Sequence, residues 1–221
     1  MDMVVRFFFA SREYRALGFN METLMNLMIN FLTLVATYGV LKQGMRVWEK
    51  RSPAGLSGIT FSYLFFYCLA FIIYAVEKCA FNMVISSLIA FAYIPMIVGL
   101  WRFGDGRERR NIAFSSVIMT AMPVIMAKLH TIDSKEAFLG ILLVGMFGVF
   151  VVGLEKFRRT PGIGSGDPAF SWAFLITGLF WIPYSYKLDA MELVLFNVGM
   201  VTVMGTTLFL YYVRKHKLMG T

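Results

Sequence analysis

The stretch RSPAGLSG runs from Arg51 to Gly58, and RTPGIGSG runs from Arg159 to Gly166. Each is a cationic residue, a hydroxyl residue, Pro, a small residue and then Gly/Ser-rich chain. Each follows basic residues and precedes an apolar run that opens Phe-Ser: FSYLFFYCLAFIIY from Phe61 and FSWAFLITGLFWIPY from Phe170. With one residue inserted, both runs end in aromatic-x-x-Tyr, as Phe71 with Tyr74 and Trp181 with Tyr184. A short loop follows in both places, and then Phe-Asn opens the next apolar run: AFNMV with Asn82, LFNVG with Asn197. A loop and its flanking segments written twice predict an internal repeat.

The runs around these loops set the class. Seven stretches lack Asp, Glu, Lys and Arg: 24–41, 59–76, 80–101, 111–127, 137–154, 169–186 and 193–213. Each is near the ~20 residues a helix needs to cross a bilayer core. The chain is 58% hydrophobic and only 15% charged, against roughly a quarter charged in soluble domains. No amphipathic shell remains to cover seven such helices in water. The expected fold class is an all-α polytopic membrane protein with seven transmembrane helices. The repeats place three helices in each of two bundles, with the fourth as linker (3+1+3). The corresponding division is 1–22 as an N-terminal interfacial segment, 23–110 as the first repeat, 111–136 as linker helix and loop, 137–217 as the second repeat and 218–221 as tail. An odd linker gives both repeats the same orientation, and such parallel repeats place a substrate path on their shared axis. The N-terminal segment has too short an apolar core for a cleaved signal peptide.

The net charge of +8 is a matter of topology, not of nucleic acid. Of the 21 Lys and Arg residues, 14 fall in the gaps after segments one, three and five and in the tail. The positive-inside rule then puts the C-terminus in the cytosol and the N-terminus outside or in a lumen. Expected partners are a small-molecule substrate and the lipid bilayer, with assembly as a homo-oligomer or within a larger membrane complex. Cys68 and Cys79 have no metal or redox spacing, and His130 and His216 stand apart, so no metal site or cofactor is expected. Paired carboxylates, a Ser-His-Asp set and a phosphate loop are missing, so no enzyme is expected. Acidic residues fall only at segment ends and loops, which favours facilitated diffusion over proton-coupled pumping.

Taken together, the layout, KRSPAGLSG, and WIPY followed by FNVG resemble the PQ-loop superfamily, and within it the SWEET sugar transporters. The resemblance covers 24–217. It implies a sugar pocket lined by the asparagines of helices three and seven, with a tryptophan of helix six against the ring: Asn82, Asn197 and Trp181, with Phe71 in the equivalent position of the first repeat. An amide fits that task because it donates and accepts without charge. The implied function is facilitative transport of a small neutral polar solute, a sugar or sugar-like molecule, by alternating access in the plasma membrane or an internal eukaryotic membrane. The sequence departs from the family in two ways. Lys42-Gln43 stands where Pro-Gln belongs, with Phe150-Val151 in the second repeat, and helices one and five contain no proline. WEKRSPAGLSG also resembles the loop of KDEL receptors, which clamp peptide carboxylates with arginines inside their helices; segments two and six here have none. The alternative function is therefore a non-transporting protein of the same fold, a cargo receptor or an accessory subunit of a membrane complex. On the residues alone, Asn82 and Asn197 also read as helix caps, Trp181 as part of an interfacial belt and Phe71 as packing.

Overall fold

The computed structural model describes residues 9–11, 14, 17–18, 21–162, 166–187 and 191–219. The described residues form seven helical segments and no strand. They are α1 (Met21–Lys50), α2 (Gly58–Glu77), α3 in two pieces, α3a (Phe81–Ser87) and α3b (Ala90–Phe103), α4 in two pieces, α4a (Gly106–Met119) and α4b (Ala121–Lys128), α5 (Ile132–Arg159), α6 (Pro168–Lys187) and α7 (Met191–Met219). Most of the expected interfacial segment 1–22 lies outside the described residues.

Six of the seven are long and apolar enough to cross a membrane. The exception, α6, carries no charge between 169 and 186, but Trp172, Trp181, Pro183 and Tyr184 lower its hydropathy. Outward-facing side chains are apolar as well: Val117 is 76% and Val144 75% exposed. A surface with this much exposed apolar area is suited to lipid contact.

The helices extend beyond the apolar runs because their ends are capped by polar residues. Asp105 accepts from the Glu108 N–H at 2.7 Å and starts α4a at Gly106, so the expected boundary at 110/111 falls inside that helix. Thr131 accepts from the Ser134 N–H and starts α5, so the boundary at 136/137 falls inside α5. Ser57, from the first of the repeated loops, accepts from the Thr60 N–H and caps α2. Pro53 and Gly55 build the turn before it. The Leu56 N–H donates to the Pro53 carbonyl at 3.0 Å, and Gly55 has φ +84°, the conformation that the third residue of a type II turn requires. The linker breaks at Thr120 because Pro123 has no N–H to donate to the Met119 carbonyl, which ends α4a. By contrast α1 and α5, which contain no proline, are unbroken over 30 and 28 residues.

Packing follows one order in both halves. α3 packs against α1 and α2, and α7 packs against α5 and α6; α1 meets α6, α2 meets α5, and α4 lies on α2. Gly39 permits the close approach of α1 to α6: a Cβ there would sit 3.1 Å from the Ala169 carbonyl oxygen and from Ala173 Cβ. Two ends can be distinguished. The loops 51–57 and 104–105 with residues 160–162 and 166–167 form the basic end, and the turns at 78–80 and 129–131 belong to the far end.

Candidate solute cavity

Between the two halves lies a cavity of about 160 Å³, close to the size at which an engineered apolar cavity of ~150 Å³ accepts benzene. Three of the four residues expected at the site line it: Asn197, Trp181 and Phe71. Asn197 is 4% exposed and is the seventh residue of α7. Its amide N–H donates to the Leu193 carbonyl at 2.7 Å, so it is not a cap. That bond uses the amide nitrogen and keeps the carbonyl oxygen as an acceptor for a ligand. Trp181 packs edge-on against Tyr184, with ring centroids 5.3 Å apart. Phe71 stacks between Tyr67 and Tyr74, at 5.7 and 6.0 Å, so it both packs and lines the cavity. The sequence reading did not single out Thr177. Its hydroxyl is buried in the cavity wall without a hydrogen-bond partner. Among the described residues no Asp, Glu, Lys, Arg or His lines the cavity, a lining suited to a neutral guest with an apolar face and few polar groups.

Asn82 is placed elsewhere. It is 4% exposed near the start of α3a, where the cap position is Ala80 and carries no side-chain cap. Its Oδ1 accepts from Asn30 Nδ2 at 2.9 Å. With Asn26 and Asn30 it lines a separate far-end pocket, also about 160 Å³. The overlooked signal was the spacing of Asn26 and Asn30, four residues apart inside an apolar run and so on one face of α1.

At the basic end the cavity is closed by aromatic rings and then by polar clasps. Phe61, Phe170 and Phe174 follow one another at 5.7 and 4.7 Å, and Phe174 meets Phe150 at 6.5 Å. Phe150 lines both the central cavity and a smaller one of about 70 Å³ at the basic end. Beyond these rings the two seams between the halves are tied. On the α1–α6 seam, Asp167 donates its N–H to Gln43 Oε1 at 2.6 Å and accepts from Arg46 Nη1 at 3.2 Å. Its other carboxylate oxygen accepts from the Ala169 N–H at 2.8 Å, the pattern of an N-cap. Gln43 is 1% exposed. On the α2–α5 seam, Glu108 of the linker accepts from the Gly58 N–H at 2.7 Å and from Lys156 Nζ at 2.6 Å. At the far end of the same seam, Glu77 pairs with Lys135, and Glu136 with Lys78 at 2.5 Å.

No protein-family model matches the chain, and no curated protein matches it. A solved structure does. The fold is similar to that of a eukaryotic SWEET transporter. The TM-score is 0.59 over 87% of this chain and 99% of that one, at 13% sequence identity. At that identity the likeness is one of fold: a SWEET-like, all-helical architecture, in keeping with helices long and apolar enough to cross a membrane.

Proposed function

We propose that the chain is a facilitative transporter of a small neutral polar solute, a sugar or sugar-like molecule, working by alternating access. The observation that carries this reading is the uncharged cavity between the halves, with Asn197, Trp181 and Phe71 around it. Asn197 accepts from a solute hydroxyl, and the two rings bracket its apolar face. The shared packing order of α1–α3 and α5–α7 supports a 3+1+3 repeat. In that arrangement the halves rock about the cavity, the basic end faces the cytosol and the clasped conformation is closed on that side. The SWEET-like fold supports transport as the activity.

The test is uptake of a labelled sugar and polyol panel into liposomes holding the purified chain, with Asn197→Ala alongside. Saturable uptake abolished in the variant is expected. Unchanged uptake in Asn197→Ala refutes the site.

Two observations favour the non-transporting alternative: α1 and α5 are unbroken, and α5 is ion-paired at both ends, to Glu108 of the linker and to Glu77 of α2. An accessory subunit of that kind would emerge from gentle detergent extraction with foreign partners, whereas the transporter is expected alone or as a small homo-oligomer.

A further inference from the structure

We propose that the far-end pocket between α1 and α3a is a second docking subsite, which receives the hydroxyl groups of a neutral solute before it reaches the central cavity. The inference rests on the transporter reading above and adds a site to it. Asn26 is 8% exposed, yet its Oδ1 has no hydrogen-bond partner, and the Oδ1 of Asn30 is likewise buried without one. Both side chains line the pocket. Buried acceptors are ordinarily satisfied, and leaving one unpaired costs the full desolvation of the group. Two such oxygens on one helical face call for a guest that supplies donors.

The lining narrows that guest. Among the described residues the lining has no carboxylate to balance an ammonium and no cation to hold an anion, so a neutral O–H donor fits it best. Tyr14 and Phe81 add ring surface for the C–H face of a polyol or sugar. Its volume, about 160 Å³, equals that of the central cavity, so both hold guests of one size class.

A polar track joins the two sites. The Asn30–Asn82 bond stands at the pocket. About one turn deeper, Thr33 Oγ1 and Ser86 Oγ lie 3.1 Å apart, and both residues line the central cavity. Along this α1–α3 seam a solute exchanges one set of hydrogen bonds for the next instead of crossing bare apolar wall.

The experiment is equilibrium dialysis of the full chain in nanodiscs with radiolabelled D-glucose and, separately, glycerol. It compares the wild type, the Asn26→Leu/Asn30→Leu double variant and Asn197→Ala. The expected result with at least one probe is two bound per wild-type chain and one in each variant. Because Asn30 also donates to Asn82, the melting temperature of the double variant is read alongside its binding; Asn26→Leu alone removes an unpaired acceptor without that bond and should bind one probe fewer at an unchanged melting temperature, which separates lost binding from lost folding. A less disruptive variant, Asn26→Ser, keeps an acceptor and should retain partial binding. If the wild type binds one probe and the Asn26/Asn30 variant still binds it, the pocket holds only water and the subsite is refuted while the central site stands. If Asn197→Ala keeps one bound probe that the Asn26/Asn30 variant loses, the subsite stands even where uptake fails. Binding of neither probe to the wild type overturns the subsite.

Discussion

Asp167→Asn isolates the clasp at the basic end. The substitution keeps the backbone N–H that bonds Gln43, and asparagine caps a helix as well as aspartate, so the start of α6 is preserved. What is lost is the charge that faces Arg46 at 3.2 Å, with the two side chains 9% and 20% exposed. A charge-assisted hydrogen bond at such partly buried groups contributes about 1.5–3 kcal/mol. If Arg46 and Asp167 separate when the basic end opens, that energy favours the closed state alone. Its loss then shifts the equilibrium toward the open state by about 10- to 150-fold, at one decade per ~1.4 kcal/mol. The readout is a single cysteine at Thr207, which lines the small cavity behind the clasp, in a chain with Cys68 and Cys79 replaced by alanine. Labelling by a water-soluble maleimide should be at least about tenfold faster with Asp167→Asn. An unchanged or slower rate would show that the Arg46–Asp167 pair does not hold the basic end shut.

Three other substitutions probe the architecture by thermal unfolding. Arg214 forks onto the carbonyls of Phe157 at 2.8 Å, Thr160 at 3.0 Å and Arg158 at 2.5 Å, tying α7 to the end of α5; Arg214→Lys, a point donor without the fork, should destabilise by about 1–2 kcal/mol. Cys79 ends α2 at φ +51° in a Schellman arrangement, with Ala80 N–H on Ala75 O and Cys79 N–H on Val76 O. Cys79→Gly removes the left-handed strain and should raise stability by about 1 kcal/mol, and a fall would contradict that account. Glu108→Gln leaves Lys156 without its partner and should cost about 1–3 kcal/mol; a smaller loss in Lys156→Met/Glu108→Gln than in the single variant would confirm that the pair acts as a unit.

The helices were legible because a bilayer permits few solutions: an uncharged run of sufficient length has to be a helix. Their ends were less so, since Asp105 and Thr131 extend helices into charged sequence that a search for apolar runs discards. The lining of the central cavity was legible where a motif also fixes depth in the helix, as for Trp181 and Asn197. Asn82 lines the far-end pocket instead. A repeat predicts where a residue sits along its own helix but not what a neighbouring helix brings to it, and α1 brings Asn30 at 2.9 Å. The clasps were hidden for the same reason. Asp167 with Gln43, and Glu108 with Lys156, join positions 124 and 48 residues apart, and loop charges read as topology do not reveal their partners. The departure at Phe150 became intelligible only in three dimensions, where the ring lies between two cavities.

Counterflow tests alternating access most directly. Liposomes holding the purified chain are loaded with unlabelled solute and diluted into a trace of the labelled form, without any ion gradient. The account predicts a transient accumulation of label above its equilibrium level, absent with Asn197→Ala. Simple equilibration would point to a pore, and no entry of any solute by well-folded protein would contradict transport and favour the accessory-subunit reading.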